Sequence, residues 1–296
     1  MTDAIRPRRS VLYVPGSNAR ALEKAKSLAA DCLILDLEDS VAPDAKAEAR
    51  RTIAEVVGAG GFAHQEVVIR VNALSSDWGA EDLRMAAAAP AHAVLVPKVS
   101  QPGDLAAVRA ALAAASAPAG LALWAMMETP AGIINAPAIC AAAAAPAHAL
   151  EVLVMGTNDL AKETRAAMTA GRAPMLAWLS ASVLAARAYG LDIIDGVYNN
   201  FQDAEGFRAE CQHGRSLGMD GKTLIHPGQI GPGNEIFSPA TAEVDWARRI
   251  IAAFEDPANA AKGVISLDGR MVERLHRDMA RRTVAIADAI GARSPL

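Results

Sequence analysis

Two acidic side chains stand 31 residues apart, each just beyond a short apolar run: Glu128 in Met127-Glu128-Thr129-Pro130 and Asp159 in Gly156-Thr157-Asn158-Asp159-Leu160. If those runs are neighbouring strands, about 4.8 Å apart, the two carboxylates can share one small ion. Two carboxylates, with water and substrate oxygens completing an octahedron, are the usual protein share of a Mg²⁺ site, because that ion gives up its water reluctantly. Helix caps or loop salt bridges are the competing assignment; the matched spacing favours the metal.

Other chemistry-bearing residues recur in the same way. Asp36-Leu37-Glu38-Asp39 places three acids at the end of another apolar run. Period-two geometry sends Asp36 and Glu38 to one face if the strand persists that far. They are expected to hold waters on a bound ion or to supply a base, with Asp39 alternatively capping the next helix. Arg70 ends Val67-Val68-Ile69, and a guanidinium among apolar neighbours needs a partner. It either neutralises Glu38 or Asp39 or clamps a substrate carboxylate or carbonyl. Lys98 follows Pro97 and offers a Schiff-base amine or, beside a metal, a cation contacting carboxylates. His226, in Ile225-His226-Pro227, is an imidazole acid or base or a loop anchor. Arg20 and Lys24, one helical turn apart, face phosphates or solvent. His92, His148 and His213 share no zinc-like spacing and are expected at the surface.

These residues must be positioned by something periodic. The apolar runs Val11–Val14, Cys32–Asp36, Val67–Val71, Ala93–Val96, Leu121–Met127, Val152–Met155, Asp192–Ile194 and Lys222–Ile225 alternate with segments of helical composition. The helical segments include Ala19–Ala29, Pro43–Val57, Asp104–Ala115, Met175–Tyr189 and Ala204–Leu217. That alternation is the mark of βαβ units around a parallel sheet. Asp36, Arg70, Lys98, Glu128, Asp159, Asp195 and His226 end successive runs at intervals of 28 to 36 residues. A polar group at each strand's carboxyl end predicts an α/β (β/α)₈ TIM barrel with its site at that rim. A doubly wound sheet would concentrate such groups at one switch point, and no G-x-G-x-x-G or Walker motif accompanies it. Beyond Pro239 the pattern changes to an amphipathic stretch, Ala242–Glu255, then Val264–Leu267, an Asp268-Gly269 turn and a helix from Met271 to about Ile290. Residues 1–238 are therefore expected to form the catalytic barrel and 239–296 a helical C-terminal extension acting as a lid or reaching a neighbouring subunit.

Composition limits the function further. A chain of 296 residues, 52% hydrophobic, is long enough for a large core without structural metal or disulfides. A net charge of −4 and 4% aromatics give neither the field nor the stacking surface for nucleic acid. The alanine-rich segment at 136–150 is broken by prolines and falls short of a membrane span, and the apolar stretch near the start is too short for a secretion signal. Cys32, Cys140 and Cys211 form no C-x-x-C pair, which suits a reducing cytoplasm. A soluble cytoplasmic protein is expected.

The ordered motifs Val11-Leu12-Tyr13-Val14-Pro15-Gly16-Ser17, Leu35-Asp36-Leu37-Glu38-Asp39-Ser40-Val41, Arg70-Val71-Asn72, Pro97-Lys98-Val99, Met127-Glu128-Thr129, Gly156-Thr157-Asn158-Asp159-Leu160, Asp195-Gly196-Val197-Tyr198 and Gly221-Lys222-Thr223-Leu224-Ile225-His226-Pro227 resemble the citrate lyase β-subunit-like (HpcH/HpaI aldolase/citrate lyase) family. The likeness runs from about residue 8 to the end. Trp124–Glu128, Asn158–Glu163 and Asp195–Asn199 look most like its bacterial malyl-CoA lyase and (3S)-malyl-CoA thioesterase branch. The resemblance implies a Mg²⁺- or Mn²⁺-dependent enzyme, homotrimeric or homohexameric, acting on (3S)-malyl-CoA-type thioesters. Carbon–carbon cleavage to acetyl-CoA and glyoxylate, thioester hydrolysis to malate and CoA, or both would follow. Citryl-CoA lyase is the alternative, and a metal-free Schiff-base aldolase using Lys98 a remoter one. By matching motif, Glu128 and Asp159 are metal ligands and Arg70 binds substrate oxygens, with Glu38 and Asp39 also in the catalytic group. Tyr13, Lys24, Arg20, Asn158, Ile225 and His226 are implied on the substrate and CoA side. Asp268 matches an acid/base carboxylate that relatives supply from the adjacent subunit. Asn18 departs from the pattern, standing where a relative carries an arginine on CoA, and Arg20 is the substitute at hand.

Overall fold

The computed structural model describes residues 5–62, 64–144, 149–259 and 261–293. Its strands are β1 (Ser10–Pro15), β2 (Cys32–Asp36), β3 (Glu66–Arg70), β4 (Ala93–Val96), β5 (Ala122–Met127), β6 (Leu150–Met155), β7 (Asp192–Asp195) and β8 (Gly221–Leu224). Between and after them lie helices α1 (Ala19–Ala25), α2 (Lys46–Gly58), α3 (Gly79–Ala88), α4 (Pro102–Ala114), α5 (Pro130–Ile134), α6 (Ala136–Ala141), α7 (Thr157–Thr164), α8 (Leu176–Ala188), α9 (Ala204–Leu217) and α10 (Ile230–Phe237). Each strand pairs in parallel with the next and β8 closes on β1, so the expected eight-stranded barrel is the fold.

The strands are buried on both faces, which is why they read as continuous apolar runs rather than as alternation. Val11, Cys32, Ile34, Val68, Ala93, Leu95, Ala122, Trp124, Met126, Val152, Val154 and Ile194, every second residue along their strands, make one buried cluster with Tyr13 packed against it. The residues between them, such as Leu33, Leu35, Ile69, Val94 and Leu153, are equally buried and face outward. Arg8, just before β1, closes the bottom of the barrel. Its guanidinium donates to Glu66, Glu151 and Asp192 at 2.7–3.0 Å and lies over the Trp124 ring. Charge at that depth is tolerable because every partner is opposite in sign and hydrogen-bonded.

The chain divides into two compact units, Arg8–Glu235 and a second comprising the stretch up to Pro7 together with Ile236 onward. The division falls inside α10, a few residues before the expected change of pattern. The second unit holds α11 (Thr241–Glu255), a hairpin of β9 (Val264–Leu267) and β10 (Arg270–Glu273), and α12 (Arg274–Arg293). Met271, expected to open the last helix, lies instead in β10 and faces Ser266. Asp268 and Gly269 both adopt positive φ, 52° and 75°, the conformation a two-residue turn requires for its twist to match the strands. Ala247, Ile250, Phe254, Ile265, Val272 and Ala280 form this unit's own core. Among the described residues no helix is long and apolar enough to cross a membrane.

Candidate active site

The strand ends bring a group of charged side chains together at the carboxyl-terminal mouth of the barrel. Register explains the first pair, since Asp36 and Arg70 are direct partners across β2 and β3. Arg70 donates from Nε and Nη2 to the two oxygens of Asp36, both at 2.6 Å, a bidentate fork in which both residues are buried. The sequence pointed to Glu38 or Asp39 as the partner of Arg70; Asp36 is the main one. The other two are also in reach, with Nη1 2.7 Å from Glu38 Oε2 and 3.3 Å from Asp39 Oδ2. The Glu38 contact is an ion pair without hydrogen-bond alignment. Tyr13 stacks its ring 4.9 Å from the guanidinium carbon, and Met126 Sδ lies 3.7 Å from Nη1.

Strand β2 ends at Asp36, so Glu38 does not share its face by strand periodicity as expected. The turn after the strand does the work instead. Asp36 accepts from the backbone N–H of Glu38 and of Ser40, curling the chain back over Arg70. Lys46 was not singled out from the sequence; its Nζ donates to the carbonyls of Leu37 and Glu38 at 2.9 Å and pins the same turn. Nothing in its sequence context sets this lysine apart; its burial is visible only in the folded chain. Asp39 caps no helix: α2 begins at Lys46, and Ala42 is the cap of the short 3₁₀ turn before it.

Glu128 directly follows β5 and continues the inward file of Ala122, Trp124 and Met126. Its side chain is fully buried. Oε1 accepts from the Lys98 backbone N–H at 2.7 Å, whereas Oε2 has no hydrogen-bond partner. The close approach of β6 depends on Gly156, because a Cβ there would stand 2.3 Å from Glu128 Cβ. Asp159 does not end β6 as the spacing predicted. The strand stops at Met155, and Asp159 lies in the first turn of α7, where the helix dipole favours a carboxylate. Neither acid is a cap, for Thr129 caps α5 and Gly156 occupies that position in α7. Lys98 spans them, with Nζ 2.8 Å from Asp159 Oδ1 and 3.8 Å from Glu128 Oε1.

Burial pushes the Glu128 carboxyl up, only partly offset by Lys98. Burial likewise pushes Glu38 up, to about 8, against the pull of Arg70 and with Glu128 and Asp39 adding to the rise. A carboxyl raised in the folded state from an ordinary value of 4.5 binds its proton more tightly folded than unfolded. It therefore penalises the fold progressively as pH rises from about 4.5 to about 8. Glu38→Gln is expected to remove that loss, so that urea midpoints of the variant change less than wild type between those limits. A wild-type slope retained in the variant counts against this. For Lys98, burial alone would lower the amine, but its hydrogen bond to Asp159 and the Glu128 charge outweigh it and the ammonium is favoured. A Schiff-base lysine needs the opposite, a depressed amine in an apolar pocket, so the metal-free aldolase alternative loses its nucleophile.

The remaining candidates divide. Arg20 and Lys24 are exposed on α1, whose cap is the Asn18 side chain, and neither has an ion-pair partner among the described residues. Asn158 exchanges two hydrogen bonds with Asn199 at 3.1 and 2.9 Å. Ile225 and His226 are exposed beyond β8, where Gln229 Oε1 accepts both their N–H groups. His226 stacks on exposed Phe201 at 5.1 Å, a residue the sequence did not mark. Asp268 belongs to the second unit, exposed at the hairpin turn and ion-paired to Arg249. Asp195, counted among the rim groups, is not one. It faces out of the barrel, fully buried between Arg172 at 2.6 Å and Lys222 at 3.0 Å. His213 is half-buried on Arg172 rather than at the surface, His92 is exposed, and His148 lies outside the described residues.

No cluster of three or more His, Cys, Asp or Glu suited to a metal occurs among the described residues. Two carboxylates are nevertheless the share Mg²⁺ asks of a protein, and Glu128, with Oε2 buried and unpartnered and Oε1 already 3.8 Å from a cation, fits such an ion.

Residues 9–227 match the HpcH/HpaI aldolase/citrate lyase family. The chain is 51% identical over 292 residues to a (3S)-malyl-CoA thioesterase of Cereibacter sphaeroides, covering 99% of each. It is 35% identical to the citrate lyase subunit beta of Escherichia coli, covering 97% of this chain and 96% of that one. The protein CitE of Mycobacterium tuberculosis, in complex with magnesium, acetoacetate and coenzyme A, superposes with a TM-score of 0.76 at 26% identity over 96% of this chain and 100% of its own.

Proposed function

Because the chain belongs to the HpcH/HpaI aldolase/citrate lyase family, we propose that it is a Mg²⁺-dependent enzyme of (3S)-malyl-CoA-type thioesters. It cleaves the carbon–carbon bond to give acetyl-CoA and glyoxylate, hydrolyses the thioester to malate and CoA, or does both. The observation that carries this reading is the pair Glu128 and Asp159, gathered under one lysine at the mouth of the barrel, in a chain half identical along its length to a (3S)-malyl-CoA thioesterase.

Glu128 and Asp159 would hold the divalent ion, Mg²⁺ or Mn²⁺. When bound, it supplies a Lewis acid for the substrate's carbonyl or hydroxyl oxygen. Arg70, immobilised on Asp36, offers Nη1 to the carboxylate of the malyl group, and its fixed fork orients that end. Glu38 and Asp39 border that nitrogen, and burial pushes the Glu38 carboxyl up. Tyr13 walls the pocket over Arg70. Arg20 and Lys24 meet the CoA phosphates, while Asn158, Ile225 and His226 line its path. Asp268 passes a proton to or from the acetyl carbon, supplied by a neighbouring copy in a homotrimer or homohexamer, with residues 239–296 as the covering extension. Three buried free thiols suit a cytoplasmic enzyme.

The deciding experiment incubates the purified protein and Mg²⁺ with malyl-CoA, citryl-CoA or methylmalyl-CoA and separates glyoxylate, malate and free CoA. Malyl-CoA turnover that stops on chelation is expected. Preference for citryl-CoA selects the lyase alternative, consistent with the citrate lyase subunit beta relative. Turnover that survives exhaustive chelation overturns the metal reading. Asp268→Asn is expected to slow deuterium exchange into the acetyl-CoA methyl group by about 10²-fold or more while Mn²⁺ binding is kept. Unchanged exchange removes Asp268 from the reaction.

A further inference from the structure

Lys98 does two things from one position. Its backbone N–H donates to Glu128 Oε1 at 2.7 Å while its side chain returns over the site to Asp159 Oδ1 at 2.8 Å. That reversal needs a left-handed backbone, and Lys98 has φ of 56°. For a residue with a Cβ this conformation costs on the order of 1 kcal/mol, which the surrounding contacts must offset. The ammonium is also the cation nearest the two acids, standing 3.8 Å from Glu128 Oε1.

The three groups differ in freedom. Glu128 is wholly buried and held by a backbone donor, so it cannot leave. The Lys98 side chain is 36% exposed, and a lysine stem has four rotatable bonds leading to a compact, strongly hydrated charge. The ammonium is the most exposed of the three, Asp159 being 23% exposed and Glu128 not at all, and it alone rides on a long flexible stem. Two carboxylates brought together without a counter-charge repel and tend to move apart.

We infer that Lys98 is a tethered stand-in for the divalent ion: it keeps Glu128 and Asp159 gathered, then swings to solvent when the ion takes its place between them. Lys98 is thus a positioning residue that competes with the metal it prepares for. This rests on the metal reading above, and the test separates the two.

Mn²⁺ binding to the full-length chain is titrated by the electron paramagnetic resonance signal of the free ion, for wild type and Lys98→Met. Losing the competitor should tighten Mn²⁺ binding by about tenfold, equivalent to roughly 1.4 kcal/mol. Equal or weaker binding in the variant overturns the inference, since a lysine that stays to support Asp159 would weaken it on removal. If wild type binds no Mn²⁺, the metal reading itself fails and the inference with it. Should Lys98→Met fail to fold, the wild type alone decides. Acylation of the Lys98 amine by acetic anhydride, followed by mass spectrometry of its peptide, should speed up several-fold when Mn²⁺ is added. An unchanged or slower rate at that one lysine overturns the displacement.

Discussion

Glu128→Gln is expected to lower Mg²⁺-supported turnover by about 10³-fold or more and to leave the fold as stable as before, or more stable. The side chain is fully buried, and burial disfavours its charge. Glutamine keeps the shape and still accepts the Lys98 N–H at Oε1, but removes the charge whose desolvation weighs on the fold. The sign follows from the raised carboxyl. Its penalty grows as pH climbs past the ordinary 4.5, so the variant's gain in Tm should be larger at pH 8 than at pH 5. Turnover and Mn²⁺ binding are measured with Tm at both pH values. Activity within tenfold of wild type removes Glu128 from the metal site.

Arg70→Met should have the largest effect on stability, a loss of about 3–5 kcal/mol in urea unfolding at pH 7. Removing the guanidinium leaves Asp36 buried with two of its four hydrogen bonds gone, and takes from Glu38 and Asp39 the cation they share. Burial alone would raise the Asp36 carboxyl, but Arg70 outweighs it and holds the group below its ordinary 3.8. A carboxyl depressed in the folded state contributes stability that is present above pH 3.8 and lost as pH falls through its lower folded value. Wild type should therefore destabilise in acid more steeply than the variant, and the gap between them should narrow below pH 3.8. A loss under about 1 kcal/mol at pH 7 would mean that Arg70 is not the keystone of the acidic turn. Turnover should fall by at least about 10²-fold if Arg70 is the partner proposed for the substrate's carboxylate.

Much of the site was legible because the barrel repeats. Arg70 and Glu128 fall at or just past strand ends, and a strand's carboxyl end is where a (β/α)₈ site must be built. The Asp268-Gly269 turn was equally plain, since few residue pairs accept two positive φ values in succession. Asp195 shows the limit of the rule. It ends β7 as Arg70 ends β3, yet one position of difference in the pleat turns it outward to Arg172 and Lys222. Composition cannot tell the two faces of a doubly buried strand apart, because both are apolar.

Residue order alone therefore determined the eight-fold alternation and the family, and it pointed to the two acids and one arginine proposed to hold an ion and a carboxylate. These are local or periodic properties, written in spacing. The folded chain alone decided which charges meet: Arg70 on Asp36 rather than first on Glu38, Lys46 under the turn, and Lys98 bent back between Glu128 and Asp159. Those pairings depend on strand register and on where each strand stops, and register is settled by packing across residues far apart in the chain.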